Sequence, residues 1–237
     1  SNQPAISSDG RFVAFSSEAT NLVLGDTNGF SDIFVVNTLT GDISRESVDS
    51  ALGQANGSNF RPAISSDGRY VVFESTATNL VAAPVVTSGV THIYRRDRTT
   101  GVTVLVSQTS GGVIANGNSL QATVSGDGQF VAFASDATNL VAGDANGVRD
   151  IFLRDLTGGT TIRVSVSSAA VEGNGASRSP SLNRNPGTAT DGRYIAFGSE
   201  ATNLVAGDTN GVSDIFVYDR VAATTVRVSV SSAGVQA

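Results

Sequence analysis

A unit of about sixty residues is written four times along this chain, and a tandem repeat of that length restricts the fold to stacked or radially arranged copies of one small motif. The run Ser-Asp-Gly-Arg-Phe at residues 8–12 returns in close variants at 66–70, 126–130 and 190–194. Its aspartates, Asp9, Asp67, Asp127 and Asp191, are 58, 60 and 64 residues apart, and the run Ala-Thr-Asn-Leu-Val, from Ala19, Ala77, Ala137 and Ala201, keeps the same spacings. Ser1 corresponds to Asn59 and Ala237 to Ala55, so only counterparts of residues 56–58 are missing. The two ends are thus expected either to meet in a closed ring or each to join a neighbouring chain. The expected organisation is one repeat domain over 1–237, with units at 1–58, 59–118, 119–178 and 179–237.

Each copy reads as four strands. In the first, residues 4–7 are short and apolar, and Asp9-Gly10 supplies a tight turn because glycine tolerates positive φ. Residues 12–17 form the second strand, and a long loop over 18–31 leads to a third strand at 32–38, rich in β-branched and aromatic residues. Thr40-Gly41 turns the chain into a fourth strand at 43–48, and a connector at 49–61, rich in Gly, Asn and Ser, leads to the next copy. Residues 183–190 enlarge the fourth copy just before its Asp-Gly turn. The predicted fold is all-β, a β-propeller of four four-stranded antiparallel blades; an open β-solenoid, or part of a larger ring, is the alternative.

The run from Pro4 to Phe15, Pro-Ala-Ile-Ser-Ser-Asp-Gly-Arg-Phe-Val-Ala-Phe, followed by Asp32-Ile33-Phe34-Val35, resembles the TolB-like propeller repeat of bacterial envelope and secreted proteins. The resemblance covers all four copies and implies a propeller. Members of that family usually have shorter repeats and six or more blades, so both the length and the number of units depart from the pattern. A shared fold implies little about activity.

There is no Cys, Met or Trp, and every basic residue is Arg. Without Cys there are no disulfides, thiol catalysis or thiolate metal sites. The lack of Met suggests a mature or excised piece of a longer precursor. No apolar run approaches the length that spans a bilayer, so no membrane span is expected. A net charge of −6 argues against nucleic acid as a partner, because phosphate binding needs a basic face.

The acids are not scattered. Copy one contains Asp26-Thr27-Asn28-Gly29-Phe30-Ser31-Asp32; copies three and four repeat the pattern Asp-x-Asn-Gly-x-x-Asp at 144–150 and 208–214. Side-chain oxygens at positions 1, 3 and 7 with a backbone carbonyl at position 5 can wrap Ca²⁺, and oxygen donors suit that ion better than Zn²⁺ or Cu²⁺. The expected ligands are Asp26, Asn28, Phe30 and Asp32; Asp144, Asn146, Val148 and Asp150; Asp208, Asn210, Val212 and Asp214, with Phe30, Val148 and Val212 offering carbonyls. Copy two has lost these acids, and it has Thr76 where the other copies carry Glu18, Asp136 and Glu200. Loss in parallel suggests that these three acids complete the sites, giving about three Ca²⁺ per chain, in blades 1, 3 and 4. Three ions would bring the net charge from −6 to 0, since 3 × 2 = 6, which favours association. Asn21, Asn79, Asn139 and Asn203 persist in every copy and are expected to bond loop backbone instead.

Candidates for catalysis are few. His92, the single histidine, falls in the degenerate loop of copy two and reads as an incidental surface residue. The aspartates of the Ser-Asp-Gly turns, and Asp97, Asp155 and Asp219 with Asn37, read as turn formers. Arg95, Arg96 and Arg98 make a local basic cluster that reads as a solvated strand edge, with anion binding as the alternative. The expectation is a non-enzymatic, calcium-stabilised structural or protein-interaction module, extracellular or at the cell surface, with the periplasm as the alternative. It would bind a protein partner or itself, in a filament or surface layer. A glycan- or peptide-binding propeller is a second possibility, and a propeller cut from a secreted hydrolase or lyase a third.

Overall fold

Period-two alternation of side chains sends every second residue of a strand to the opposite face of its sheet, and here both faces are apolar in the inner strands. Ala14 and Ile33 point one way, Val13, Phe15 and Phe34 the other, so each sheet needs a neighbour on both sides. The computed structural model describes residues 1–84, 86 and 88–236; Ala237, expected to match Ala55, lies outside the described residues, as do Val85 and Thr87.

Sixteen strands and no helix are present among the described residues. Blade 1 contains β1 (Asn2–Ile6), β2 (Phe12–Ser17), β3 (Asp32–Asn37) and β4 (Ile43–Arg45). Blade 2 contains β5 (Asn59–Ile64), β6 (Tyr70–Ser75), β7 (His92–Asp97) and β8 (Val102–Leu105). Blade 3 contains β9 (Ser119–Val124), β10 (Phe130–Ser135), β11 (Asp150–Asp155) and β12 (Thr160–Arg163), and blade 4 contains β13 (Ser177–Leu182), β14 (Tyr194–Ser199), β15 (Asp214–Asp219) and β16 (Thr224–Arg227). Each blade is a four-stranded antiparallel meander in sequence order. The fourth sheet starts at Ser177, before residue 179, because the extra residues of copy four lie after β13 and leave its start in the old register.

The first strands gather around a common axis. Gln3 and Pro4, Arg61 and Pro62, Gln121 and Ala122, and Ser179 and Pro180 line one cavity. Each first strand bulges there, and Gln3, Arg61, Gln121 and Ser179 adopt φ of 55°, 43°, 57° and 54°. Left-handed backbone is uncommon without glycine and follows here from the bulge. The bulge frees backbone N–H groups that tie blades together: Arg61 N donates to Gln3 Oε1 (2.8 Å), Gln121 N to Glu74 Oε1 (2.7 Å) and Ser179 N to Gln121 Oε1 (2.9 Å).

Three apolar cores lie between blades 1 and 2, 2 and 3, and 3 and 4. Across β2–β3 and its counterparts, Phe15–Phe34, Phe73–Tyr94, Phe133–Phe152 and Phe197–Phe216 stack with ring centroids 5.9–6.0 Å apart. Among the described residues no such core joins blade 4 to blade 1.

Candidate metal centres

The long loop of blade 1 is closed at its foot by an arginine. Arg45 NH1 lies 3.0 Å from Asp26 Oδ1 and 3.4 Å from Asp32 Oδ2. Arg227 repeats this in blade 4, 3.2 Å from Asp208 Oδ1 and 3.4 Å from Asp214 Oδ2. In blade 3, Arg163 NH1 is 3.5 Å from Asp144 Oδ1 and 3.4 Å from Asp150 Oδ2, and it also pairs with Glu172. Where blade 3 has Glu172, blades 1 and 4 have Gln54 and Gln236, each accepting from the arginine (3.0 and 2.8 Å). Gln54 also clasps the loop, its Nε2 donating to Gly25 O (2.7 Å).

The other positions of the motif shape the loop. Asn28 Oδ1 accepts from Phe30 N (3.0 Å) while its Nδ2 donates to Asp32 Oδ2 (2.9 Å). Asn146 and Asn210 make the same two bonds, to Val148 N and Asp150 and to Val212 N and Asp214. The asparagine oxygens expected as ligands therefore accept from the backbone in an Asx turn. Asp32 Oδ1 and Asp150 Oδ1 each take a hydrogen bond of 2.5 Å from Ser47 and Ser165.

These carboxylates are buried. Burial pushes Asp32 and Asp150 up from the ordinary aspartate range, and burial with the neighbouring Asp150 charge pushes Asp144 up to about 6. Asp26 Oδ1, Asp144 Oδ1 and Asp208 Oδ1 are buried and accept no hydrogen bond; the guanidinium is within ion-pair reach without hydrogen-bond alignment. In blade 3 alone, among the described residues, three acids (Asp144, Asp150 and Glu172) bring oxygens within 4.8 Å of one another. Blades 1 and 4 thus set two carboxylates against one guanidinium, and blade 3 sets three.

Two of the three acids expected to complete the sites are engaged by other arginines, and the third is exposed. Asp136 is bound through both oxygens by Arg149 (2.8 and 2.9 Å), Glu200 pairs with Arg178, and Glu18 is exposed. Glu172 occupies the third carboxylate position in blade 3. The signal for the arginine was present in the sequence: Arg45, Arg163 and Arg227 recur in the three acid-bearing copies, and copy two has Leu105 there and Ile114 in place of Gln54. Blade 2 has therefore lost acids, arginine and glutamine together, exchanging an ionic centre for an uncharged one.

His92 stands in β7 where the other blades have Asp32, Asp150 and Asp214, and it is fully buried, not a surface residue. Its Nδ1 meets Ser107 Oγ at 3.2 Å, its Nε2 has no partner, and burial lowers its pKa to about 4. Asn79, Asn139 and Asn203 do bond backbone: their Nδ2 groups donate to Gln54 O, Ile114 O and Glu172 O, each at 2.8 Å. The expected solvated edge of arginines is instead a set of ties between blades. Arg98 Nε donates to Glu46 Oε1 (2.9 Å), Arg96 NH1 to Asp49 O (3.0 Å) and Arg95 NH1 to Gly128 O (2.8 Å). Asp97 and Asp219 form turns as expected, and Arg69 and Arg193 hold them well below the usual carboxylate range. Asp191 goes further than a turn: its carboxylate accepts from Gly126 N (3.0 Å) and Asp127 N (2.8 Å) of blade 3.

Solved structures with this arrangement of blades include TolB from Acinetobacter baumannii, with a TM-score of 0.52 at 18% identity over 96% of this chain and 43% of that one. A TolB-type protein from Agrobacterium tumefaciens gives a TM-score of 0.56 at 17% identity, over 96% of this chain and 64% of that one. This chain has the fold of a TolB-like β-propeller. An oligogalacturonate lyase in complex with manganese matches with a TM-score of 0.58 at 12% identity, over 95% of this chain and 52% of that one. The chain spans about half the length of these structures. No protein-family model and no curated protein matches the sequence.

Proposed function

We propose that this TolB-like propeller is a non-catalytic interaction module, secreted or facing the cell envelope, whose long loops are held by cations. The observation that carries the reading is the ionic centre at the foot of the loops, which commits the acids of three blades to structure. In blades 1 and 4 the cation is the protein's own arginine. In blade 3 one guanidinium faces Asp144, Asp150 and Glu172, and the unneutralised charge suits a divalent ion. All donors are oxygens, so Ca²⁺ is the ion of choice, with Glu172, Asp144 and Asp150 as its protein ligands. One ion per chain replaces the three expected from sequence. Calcium at extracellular concentrations would populate a site of modest affinity.

Elemental analysis and calorimetry, with calcium and after chelation, test this. About one Ca²⁺ per chain is expected, with about 2.7 kcal/mol of added stability at a hundredfold excess over Kd. Glu172→Gln, which gives blade 3 the residue of blades 1 and 4, should abolish both effects. Titration with Mn²⁺ asks whether the site prefers the ion seen with the lyase. A wild-type chain without metal and without a shift would leave the arginine as the only cation.

A further inference from the structure

We propose that the turn end of the axis holds a binding site for an organic cation, an ammonium or guanidinium group. The site lies at the start of β2 and its counterparts, where Asp-Gly turns the chain; the ionic centres lie beyond the other end of those strands. It is therefore independent of any ion held by the long loops. A cavity of about 550 Å³ opens there, with Asp9, Ser66, Asp67, Tyr70, Asp127 and Pro186 in its wall. All four blades contribute, and every contact that shapes the cavity lies between Ser7 and Asp191 in the chain.

The repeat supplies the charge. Each turn aspartate uses one oxygen locally: Asp9 Oδ1 accepts from Ser7 Oγ (2.6 Å), Asp67 Oδ1 from Ser65 Oγ (2.6 Å) and Asp127 Oδ1 from Ser125 Oγ (2.7 Å). Among the described residues their second oxygens accept no hydrogen bond, and all three aspartates are exposed. Arg69 also lines the cavity, but its guanidinium is bound to Asp97 through Nε (2.9 Å) and NH2 (2.7 Å). The three carboxylates do not all come within 4.8 Å of one another, as those of Asp144, Asp150 and Glu172 do, so a bare ion cannot bridge them. An extended organic cation with several N–H donors can.

Blade 4 breaks the symmetry and completes the wall. Its Asp191 is buried, and its oxygens accept from Gly126 N (3.0 Å), Asn185 N (2.8 Å) and Asp127 N (2.8 Å). These bonds fix the added segment 183–190, whose Pro186 reaches across to blade 3. A Cβ on Gly126 would lie 2.7 Å from Pro186 Cδ and 2.9 Å from Ser66 Oγ. Glycine here, where blades 1 and 2 have Ser8 and Ser66, admits both. Ser66 lines the cavity at 7% exposure, and its Oγ has no hydrogen-bond partner. A buried hydroxyl without a partner carries a desolvation cost, which an N–H of a bound cation relieves by donating to it.

Isothermal titration calorimetry in chelator and low salt tests this with three probes: spermidine, the capped peptide acetyl-Gly-Arg-Gly-amide, and the same peptide with uncharged citrulline. One equivalent of spermidine, of the arginine peptide or of each should bind, and the citrulline peptide should not. Binding of spermidine alone would identify a free amine as the source of the cation, and binding of the arginine peptide alone a protein side chain. No saturable binding of either at millimolar concentration, or equal binding of the citrulline peptide, overturns the proposal. Asparagine keeps the turn oxygen and removes the charge, so Asp67→Asn and Asp127→Asn should fold, as thermal unfolding checks, and each should weaken binding about tenfold. Pro186→Arg, at an exposed position, places a guanidinium in the wall and should abolish binding independently. Asp42→Asn alters an exposed acid between β3 and β4 and should leave binding unchanged. Equal weakening by Asp42→Asn would mean diffuse attraction to an acidic surface, and unchanged binding in Pro186→Arg a different site; either result refutes the assignment.

Discussion

Arg45, Arg163 and Arg227 each stand between two buried aspartates, and the consequence is largest when one partner is removed. Replacing Arg45 by Leu, the residue of blade 2, would leave Asp26 and Asp32 facing each other in a desolvated site. Breaking a buried ion pair this way costs about 3–5 kcal/mol, so chemical denaturation of Arg45→Leu should show a loss of that order. Adding Asp26→Asn should recover part of it. A loss below about 1 kcal/mol would mean that the carboxylates are solvated. His92 offers a second measurement at this scale. Its pKa falls from 6.5 to about 4 through burial, so the folded state keeps it neutral while the unfolded chain takes up a proton. Its contribution is therefore complete above pH 6.5 and is lost as pH falls to about 4, a change of about 3 kcal/mol. As the single histidine, its imidazole resonances need no assignment, and titration by NMR should give a midpoint near 4. The difference in stability between wild type and His92→Gln should shrink over the same interval.

At the scale of the element, the aromatic residue and the glycine that meet across a blade interface set how closely two sheets approach. Gly128 has φ of +77° and a tyrosine ring where a Cβ would go. Gly10 has φ of +73° and open space. Gly10→Ala should cost only the left-handed strain, about 1–2 kcal/mol. Gly128→Ala adds a steric clash with Tyr70 and should cost at least about 1–3 kcal/mol more, read from denaturation midpoints. Equal losses would show that the ring can swing away and that the contact does not hold the blades. The axial bulges act at the same scale. They strain one residue per blade but release backbone donors for the neighbouring blade, which a regular strand pair would consume in its own ladder.

At the scale of the molecule, four blades joined by three apolar cores behave as a short array of repeats, in which each unit is stabilised by its neighbours. Blades 2 and 3 have two covered faces and blades 1 and 4 have one. Amide exchange in this chain should therefore be slowest in β6, β7, β10 and β11, and faster in β2 and β15. Uniform exchange across the four blades would mean that the molecule unfolds as one cooperative unit.

The repeat, the four strands of each unit and the turn glycines could be read from the chain itself, because they depend on local periodicity and on φ. Residues 12–17 are a strand in the structure as in the reading of the sequence. Asn79, Asn139 and Asn203 bond loop backbone as expected, because persistence in copy two separated this position from the acids. What escaped were partners distant along the chain. Arg45 lies 19 residues from Asp26, and Glu172 lies 28 from Asp144, so the ionic centre exists only after β4 and the connector fold back on the loop. Asp136 and Glu200 varied with the loop acids, yet their side chains pair with arginines of their own. The axial bulges left no local signal, since Gln, Arg and Ser stand where left-handed backbone is needed. Whether the blades close was likewise undecidable from the repeat: identical units predict identical faces, and only the relative placement of the sheets determines which faces remain uncovered.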